Sequence, residues 1–244
     1  MGDAIKQFEQ EKKERIAANG VNEELIKSAD AFNSASNKAQ YSYNFTWMGR
    51  PIIQYPQDIL AMQELIWQIK PDLIIETGIA HGGSILYYAS LLELIGKGEV
   101  LGIDIDIRAH NREEIEKHPM YKRVSMIEGS SIDSSIVDQV KKFAEGKQTV
   151  LVVLDSNHTH EHVLAELEMY SPLVTTGSYI VVFDTIVENL PNYYLPNRPW
   201  AIGDNPMTAA REFLKNNDSF EIDTAIDNKL LISVSPKGYL KRVK

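Results

Sequence analysis

The spacing of apolar residues separates a sparse N-terminal stretch from a regular body. Residues 1–45 are rich in Glu, Lys, Asn and Ala, and their few apolar positions, such as Ile5, Phe8 and Ile16, cannot form a core of their own. We therefore predict an N-terminal helical arm over residues 1–45, which packs against the main domain, residues 46–244, or against a second subunit.

Beyond the arm, short apolar runs alternate with amphipathic segments. A helix is predicted from Pro56 to Ile69 because apolar residues recur on one face. The apolar runs that follow lie at 73–76, 100–104, 124–128, 149–155 and 179–184, and the amphipathic segments begin near Gly83, Arg108, Asp133, Thr159 and Met207. Strands buried on both faces and joined by helices predict an α/β fold with a doubly wound, Rossmann-like, mostly parallel sheet. Two later strand-like runs, FEID and NKLLISVSP, predict an antiparallel C-terminal hairpin that brings the sheet to seven strands.

The segment before the first helix of the body, YSYNFTWMGRPIIQYPQD, is aromatic and is interrupted by Pro51 and Pro56. Because proline disrupts helical hydrogen bonding, we predict an ordered loop here. This loop either links the arm to the body as packed structure or lines a binding site.

Charge and the absence of cysteine restrict the possible partners. The 244 residues carry 25 Lys and Arg against 34 Asp and Glu, a net charge of −9, and no cysteine. This composition excludes a disulfide framework, a zinc ribbon and a thiol nucleophile, and without a basic patch it disfavours a nucleic-acid partner. No apolar run approaches the ~20 residues that span a bilayer, and residues 1–15 lack a secretory signal, so we expect a cytoplasmic protein without a membrane span. The expected partner is a small molecule.

Acidic residues end all of the predicted parallel strands. In a sheet of this kind, ligands collect at the carboxyl ends of the strands, beside the switch point. A set of carboxylates pointing into one crevice predicts contacts to ribose hydroxyls, to a metal ion, or to both. The residues are Glu76, Asp104, Glu128, Asp155 and Asp184.

The first strand continues into a glycine-rich turn, ETGIAHGGS, over residues 76–84. Its glycines allow a tight turn and a close approach to a ligand, and its serine is expected to cap the next helix. The spacing, with Ala80 at the middle position, departs from the dinucleotide fingerprint, and there is no Walker lysine. A glutamate before the first glycine favours a cationic or zwitterionic ligand over a pyrophosphate. The candidate binding residues are Glu76, Gly78, Ala80, Gly82, Gly83 and Ser84.

The ends of the next two strands suit a nucleoside. Asp104 lies about 25 residues beyond the first glycine, where an acidic residue usually holds a ribose diol, and Asp106 is an alternative. After the third strand, Ser130 and Ser131 offer small hydroxyl side chains that could border an adenine, although the same segment could serve only as a helix cap.

The fourth strand ends in LDSNHTHEH, residues 154–162, which allows two chemistries. The cluster His158, His160 and His162 superficially resembles a metallo-β-lactamase-like signature but departs from it by one position, so a metal-dependent hydrolase is one alternative. In the other, His158 accepts a proton from a substrate hydroxyl while Asp155 and Asp184 hold a hard cation. A non-catalytic binding subunit is a third possibility.

Residues 185–206, which follow the fifth strand, contain four prolines and several aromatic residues. A connection this long inside a compact domain is usually functional, so we predict a lid over the crevice. Its candidate substrate contacts are Tyr193, Tyr194, Arg198 and Trp200.

Taken together, these motifs resemble a known family. WMGRPIIQYPQD, IIETGIAHGGS, GIDIDIR, LDSNHTHEHVLAELEMYSPLV and RPWAIGDNPMTAAREFL are similar to segments of the cephalosporin hydroxylase-like class I S-adenosylmethionine-dependent O-methyltransferases, over about residues 47–234. The arrangement is also similar to that of macrocin- and mycinamicin-type sugar O-methyltransferases. The resemblance implies O-methyl transfer to a small polyhydroxylated acceptor, most simply a sugar. Independently of the resemblance, the sparse N-terminal arm and the expected apolar surface at the edge of the hairpin predict a homo-oligomer.

The resemblance also implies roles for single residues. The methionine portion of S-adenosylmethionine would lie against Glu76, Gly78, Ala80 and the turn from Gly82 to Ser84, with Asp155 also bordering the cofactor. Asp104 would hold the ribose, and Ser130 or Ser131 the adenine. Asp155 and Asp184 would bind Mg²⁺ or another divalent cation, and His158 would be the general base. Phe183 stands where metal-dependent relatives often have an acidic residue, which leaves two carboxylates for the metal.

Overall fold

The computed structural model describes residues 2–191 and 197–244, which form a main sheet with helices on both faces and a separate two-stranded hairpin. The helices in these ranges are α1 (Asp3–Asn19), α2 (Glu23–Lys38), α3 (Pro56–Ile69), α4 (Gly83–Ile95), α5 (Ala109–Glu116), α6 (Ser134–Ala144), α7 (His160–Tyr170), α8 (Pro206–Asn216) and α9 (Thr224–Leu230). The strands are β1 (Phe45–Trp47), β2 (Arg50–Ile52), β3 (Leu73–Thr77), β4 (Glu99–Asp104), β5 (Val124–Glu128), β6 (Val150–Leu154), β7 (Tyr179–Val182), β8 (Phe220–Ile222) and β9 (Tyr239–Arg242).

The main sheet has the order β5-β4-β3-β6-β7-β9-β8. Strands β3 to β7 are parallel, whereas β9 is antiparallel to both β7 and β8. The strand order reverses between β3 and β6, so the crevice at this switch point is the expected ligand site. The predicted doubly wound, seven-stranded sheet is confirmed.

The central strands are apolar throughout because both faces of the sheet are covered. Every residue of β3, β6 and β7 is buried. Alternate residues serve opposite faces: Ile74 and Val153 pack in one core, and Leu73, Ile75 and Val152 pack in the other. This two-sided burial explains the continuous apolar runs in the sequence.

Local capping sets the beginnings of several helices. The Asp133 side chain accepts a hydrogen bond from the Ser135 amide at the start of α6. At the start of α8, Asn205 and Thr208 form a reciprocal capping box, and Pro206 occupies the first turn. The predicted helices near Asp133 and Met207 are therefore confirmed.

The predicted second strand of the C-terminal hairpin is wrong. The run NKLLISVSP ends α9 and continues as irregular chain, and the strand that pairs with β8 lies further on, at β9. Asp223 accepts a hydrogen bond from the Ala225 amide and so starts a helix where a polar turn was expected. The Asp58 side chain then accepts a hydrogen bond from the Val234 amide, which in a β-strand would have donated to a neighbouring strand.

The segment predicted as an ordered loop forms the short hairpin β1–β2, which packs against α4. The arm divides into two parts. Helix α1 contacts α9 but none of its residues is buried. Helix α2 packs more closely on the body: the Ser36 and Tyr55 hydroxyls lie 2.7 Å apart, and Asn33 Nδ2 donates to the Leu231 carbonyl at 3.3 Å. The division at residue 45 stays a prediction.

Among residues 2–191 and 197–244, no helix is both long and apolar enough to cross a membrane.

A buried carboxylate joins α3 to the C-terminal segment. Asp58 is fully buried and accepts hydrogen bonds from Ser233 Oγ at 2.6 Å, Tyr239 Oη at 2.8 Å and the Val234 amide at 2.9 Å. Burial raises the pKa of Asp58 to about 6 although all three bonds oppose the shift. Asp58 therefore fixes the irregular chain that leads into β9.

We expect Asp58→Asn to lower the free energy of unfolding by about 1–3 kcal/mol, because the amide has one acceptor oxygen and turns an NH₂ group toward a buried donor. Urea denaturation at pH 7.5 measures this change. Asp30→Asn, at an exposed position on α2, is the matched control. A change at Asp58 no larger than that of the control would contradict the role of this carboxylate.

Candidate active site

An open cleft of about 760 Å³ lies at the carboxyl ends of β3, β6 and β7. The glycine-rich turn after β3 forms its floor, with Asp155 and His158 after β6 and Asp184 after β7 on one side. The hairpin β1–β2 and the end of α2 form the opposite wall. The cleft thus occupies the switch point of the sheet.

Close backbone packing explains two of the glycines in the turn. Gly78 has φ +94°, and a Cβ there would lie 2.1 Å from the Asp155 carbonyl oxygen. A Cβ on Gly83 would lie 2.1 Å from the Pro51 carbonyl oxygen. A side chain would separate the turn from β6 or from the β1–β2 hairpin, so these glycines hold the two sides of the cleft together.

Glu76 lies beneath the turn and is fully buried. Ser84 Oγ donates to Glu76 Oε2 at 2.7 Å, while Glu76 Oε1 has no hydrogen-bond partner. Burial raises the pKa of Glu76 to about 8, against the opposing effects of the Ser84 and Tyr88 hydroxyls. An unpaired buried carboxylate oxygen is suited to a cationic ligand group, because the positive charge would stabilise the ionised form.

The prediction that Ser84 caps α4 is wrong. The N-cap position is Gly82, which has φ +82° and no capping side chain. The hydroxyl of Ser84 instead lies against Glu76 on the cleft floor, because the left-handed turn places Ser84 inside the first turn of the helix.

Asp104 contacts the glycine turn directly. Its Oδ2 accepts from the Ile79 amide at 2.8 Å and the Ala80 amide at 3.1 Å, and its Oδ1 accepts from the Asp106 amide. Asp104 therefore shapes the turn as well as being the predicted ribose contact. Of the predicted adenine residues, Ser131 is buried against Glu166, and Ser130 is partly exposed beside it.

Three titratable side chains converge on the far side of the cleft. Asp155, His158 and Asp184 present ligand atoms that all lie within 4.8 Å of one another. His158 Nε2 lies 3.0 Å from Asp184 Oδ2, and the His158 ring meets the Trp200 ring edge to face at 4.7 Å between centroids. Burial raises the pKa of Asp155 well above its ordinary value, and the negative charges of Asp184 and Glu76 add to the shift.

This donor set fits a divalent cation. Two carboxylates that repel each other across a short gap are stabilised by a bound positive charge, and oxygen ligands suit Mg²⁺. Phe183 is buried in the core and supplies no ligand, as the sequence indicated. Asp184 has φ +55°, a conformation that aspartate tolerates better than most residues, and this bend directs the chain out of β7 at the cleft.

The histidine cluster expected of a hydrolase does not form. His160 Nδ1 lies 2.8 Å from Thr208 Oγ1 and its Nε2 lies 3.2 Å from Glu212, so this side chain joins α7 to α8. His162 lies against Glu166, and only His158 reaches the cleft. Because His158 precedes α7 and points to the cleft while His160 and His162 contact other helices and Glu166, the hydrolase alternative is not favoured.

The predicted lid is described in part. Arg198 and Trp200 line the cleft, and the Arg198 guanidinium lies over the Trp200 ring at 5.2 Å. Glu188, near the start of the segment, accepts hydrogen bonds from the Gly203 amide at 2.9 Å and from Asn205 Nδ2 at 2.5 Å. These bonds hold the far end of the segment. Tyr193 and Tyr194 lie outside the described residues.

Sequence reasoning missed two supports of the cleft. Arg50 donates to the His81 carbonyl through Nε at 2.9 Å and Nη2 at 2.8 Å, which fixes the glycine turn from the β1–β2 hairpin. Gln54 is buried on the cleft wall, and its amide opposes the pKa shift of Asp155. The aromatic, proline-broken loop was the available signal, and of its two interpretations the structure supports the lining of a site.

Comparison with known proteins identifies the family. The family model described as "Rhamnosyl O-methyltransferase/CmcI" matches residues 39–243. The chain belongs to this family. The resemblance predicted from the motifs is thereby confirmed, and with it the expected class of enzyme, an S-adenosylmethionine-dependent O-methyltransferase.

Curated relatives and solved structures are similar to the chain. The rhamnosyl O-methyltransferase of Mycobacterium tuberculosis (strain ATCC 25618 / H37Rv) is 29% identical over 242 residues, covering 93% of this chain and 92% of that protein. That of Mycobacterium leprae (strain TN) is 29% identical over 200 residues, covering 81% and 82%. The structure "cmcI-D160 Mg-SAM" has 20% identity and a TM-score of 0.59 over 83% of this chain and 78% of that chain. An O-methyltransferase from Bacillus cereus in complex with SAH has 17% identity and a TM-score of 0.52 over 80% of each chain. At these identities the two structures show a shared fold.

We expect Gly78→Ala to destabilise this member of the family more than Gly96→Ala does. Both glycines have left-handed φ, but Gly96 faces open space whereas a Cβ at Gly78 would collide with the Asp155 carbonyl. The overpacking cost predicts an additional loss of about 1–3 kcal/mol in the free energy of unfolding, measured in urea. Equal losses for the two variants would show that the contact between the two loops relaxes without cost.

Proposed function

We propose that this protein transfers a methyl group from S-adenosylmethionine to a hydroxyl oxygen of a sugar, assisted by a divalent cation. The observation that carries the proposal is the convergence of Asp155, His158 and Asp184 beside the glycine-rich turn. A proton acceptor then lies next to the place where a cofactor would bind, as methyl transfer to a hydroxyl requires, and a cation site lies beside it.

The residues around the turn fit the cofactor. The unpaired oxygen of buried Glu76 suits the ammonium group of the methionine portion, and Gly78 and Gly83 leave no side chain between ligand and backbone. Ala80, Gly82 and Ser84 complete this turn. Asp104 would meet the ribose beyond it. When bound, S-adenosylmethionine supplies a methyl group activated by its sulfonium charge.

The acidic side of the cleft would prepare the acceptor. Asp155 and Asp184 would hold a divalent cation such as Mg²⁺, which supplies a positive charge that orients a vicinal diol and lowers the pKa of its hydroxyl. His158 would receive the hydroxyl proton on its imidazole ring, and the negative charge of Asp184, whose Oδ2 lies 3.0 Å from Nε2, would stabilise the imidazolium. The edge-to-face contact with Trp200 holds the ring in place.

The acceptor side of the cleft suits a polyhydroxylated molecule. Polar side chains from the arm and the loop, among them Asn37, Gln40 and Ser42, line the cleft together with Tyr43 and Trp200. Polar side chains can bond to the hydroxyl groups of a sugar, and aromatic rings can pack against its apolar C–H face. The names of the curated relatives, rhamnosyl O-methyltransferases, also support a sugar acceptor.

A homo-oligomer is part of this proposal. Helix α1 buries none of its residues in the protomer and leaves Ile5 and Phe8 more than half exposed. A second copy of the chain would cover these side chains. Sedimentation equilibrium of the full chain tests this, because a monomer at micromolar concentration would remove the suggestion.

We expect S-adenosylmethionine to bind the purified protein with micromolar affinity in a calorimetric titration. The titration is run with Mg²⁺ present and again with a chelator. Similar affinities in both would place the metal with the acceptor, and a loss of affinity with the chelator would place it against the cofactor. Absence of binding in both titrations would overturn the proposed function.

We expect His158→Ala to lower turnover about 10²–10⁴-fold, the range for a lost acid–base group, while cofactor affinity stays close to that of the wild type. Asp155→Ala should lower turnover to a similar extent because it removes a ligand of the cation. Methyl transfer to a panel of sugar acceptors, with a radiolabelled methyl group, measures turnover. His110→Ala, at an exposed position on α5, is the control. Normal turnover in either cleft variant would show that its role is assigned wrongly.

A further inference from the structure

Helix α7 carries a buried carboxylate outside the catalytic group described above. Glu166 is fully buried. Its Oε1 accepts hydrogen bonds from Ser131 Oγ at 2.6 Å and Ser156 Oγ at 2.7 Å, while its Oε2 has no partner. Burying a carboxylate is costly, and this one forms no bond to a lysine or arginine in the part of the chain that the structure describes. Its position therefore calls for a specific role.

Glu166 determines how the two serines can bond to a ligand. A serine hydroxyl has one hydrogen and two lone pairs, and a carboxylate can only accept. Because Ser131 and Ser156 each give their hydrogen to Glu166, both oxygens are left as acceptors. His162 Nε2 lies 3.0 Å from Ser131 Oγ and 3.2 Å from Ser156 Oγ, so it closes the network from the other side.

The network joins two loops at the edge of the cleft. Ser131 follows β5 and Ser156 follows β6, and the Tyr170 hydroxyl donates to the Ser131 carbonyl at 2.8 Å. Ser131 is buried, whereas Ser156 is exposed and lines the cleft directly after Asp155. Of the two fixed acceptors, Ser156 is the one that a ligand can reach.

The direction of the sheet indicates which part of the ligand meets Ser156. The candidate proton acceptor and cation site lie at the ends of β6 and β7, so the reacting end of the cofactor points to that side. The nucleoside end then extends toward β4 and β5, where Asp104 and the Ser131 loop lie. A fixed acceptor on this path selects an N–H donor, and the base of the cofactor has one in its exocyclic amino group.

We propose that Glu166 is a positioning residue that fixes Ser156 as a hydrogen-bond acceptor for the adenine amino group, so that the site selects adenine over bases with an oxygen at that position. This inference rests on the proposed function. Ser131 and His162 contact Glu166 and Ser156 and help to keep these two side chains in place.

Calorimetric titration with S-adenosylhomocysteine and S-inosylhomocysteine tests the proposal, because the two ligands differ only at the Watson–Crick edge of the base, where the second has an oxo group in place of the amino group and a hydrogen on the adjacent ring nitrogen. We expect the wild type to bind the adenosyl compound about tenfold more tightly, as for one hydrogen bond to a fixed acceptor. Ser156→Ala and Glu166→Leu should reduce this ratio to about one by weakening only the adenosyl compound. Glu166→Gln should keep most of the ratio, because the amide oxygen can replace Oε1.

Glu168→Leu, at an exposed position on the same helix, is the matched control and should leave the ratio unchanged. An equal affinity of the wild type for both ligands would overturn the proposal, and so would an unchanged ratio in Ser156→Ala. Equal weakening of both ligands in Ser156→Ala would show a structural role only, which also overturns it. A wild type that binds neither ligand would reject the proposed function itself, which is a distinguishable result.

Discussion

The contact between the turn after β3 and the chain leaving β6 is the constraint on which the site depends. The two backbones approach so closely at Gly78 and Asp155 that no Cβ fits between them. This contact places the glycine-rich turn beside Asp155, and the parallel pairing of β6 with β7 brings Asp184 next to it. The proposed cofactor side and the acid–base side of the cleft therefore come from one packing arrangement at the switch point of the sheet.

Buried carboxylates connect the segments around this centre. Asp58 ties α3 to the irregular chain before β9, Glu76 supports the turn through Ser84, and Glu166 joins the loops after β5 and β6. Each is fully buried, and each accepts hydrogen bonds from serine hydroxyls. In a low-dielectric interior such bonds are strong and an unmatched oxygen is costly, so these carboxylates hold loops that strand pairing alone does not fix.

The glycine turn and its surroundings show which features of the site can be predicted from local sequence. The turn, the acidic strand ends and the proline-rich segment near Trp200 were recognisable because each requires particular residue types in order. The partners of Arg50 and Glu166 were not, since each of these side chains contacts chain that is distant in sequence. The second C-terminal strand was misplaced for the same reason: NKLLISVSP has the composition of a strand, but Asp58 binds its backbone instead.

The sequence by itself determined the alternation of helices and strands in the parallel core and the family, because apolar periodicity and short motifs are local properties. It also indicated Asp155, His158 and Asp184, since residues at the ends of adjacent strands must meet. Tertiary structure alone decided that His160 and His162 turn away from the cleft, that Ser84 meets Glu76 and does not cap a helix, and that Glu166 orients two serines. Those outcomes depend on which side chains face each other after packing, and no spacing along the chain encodes that.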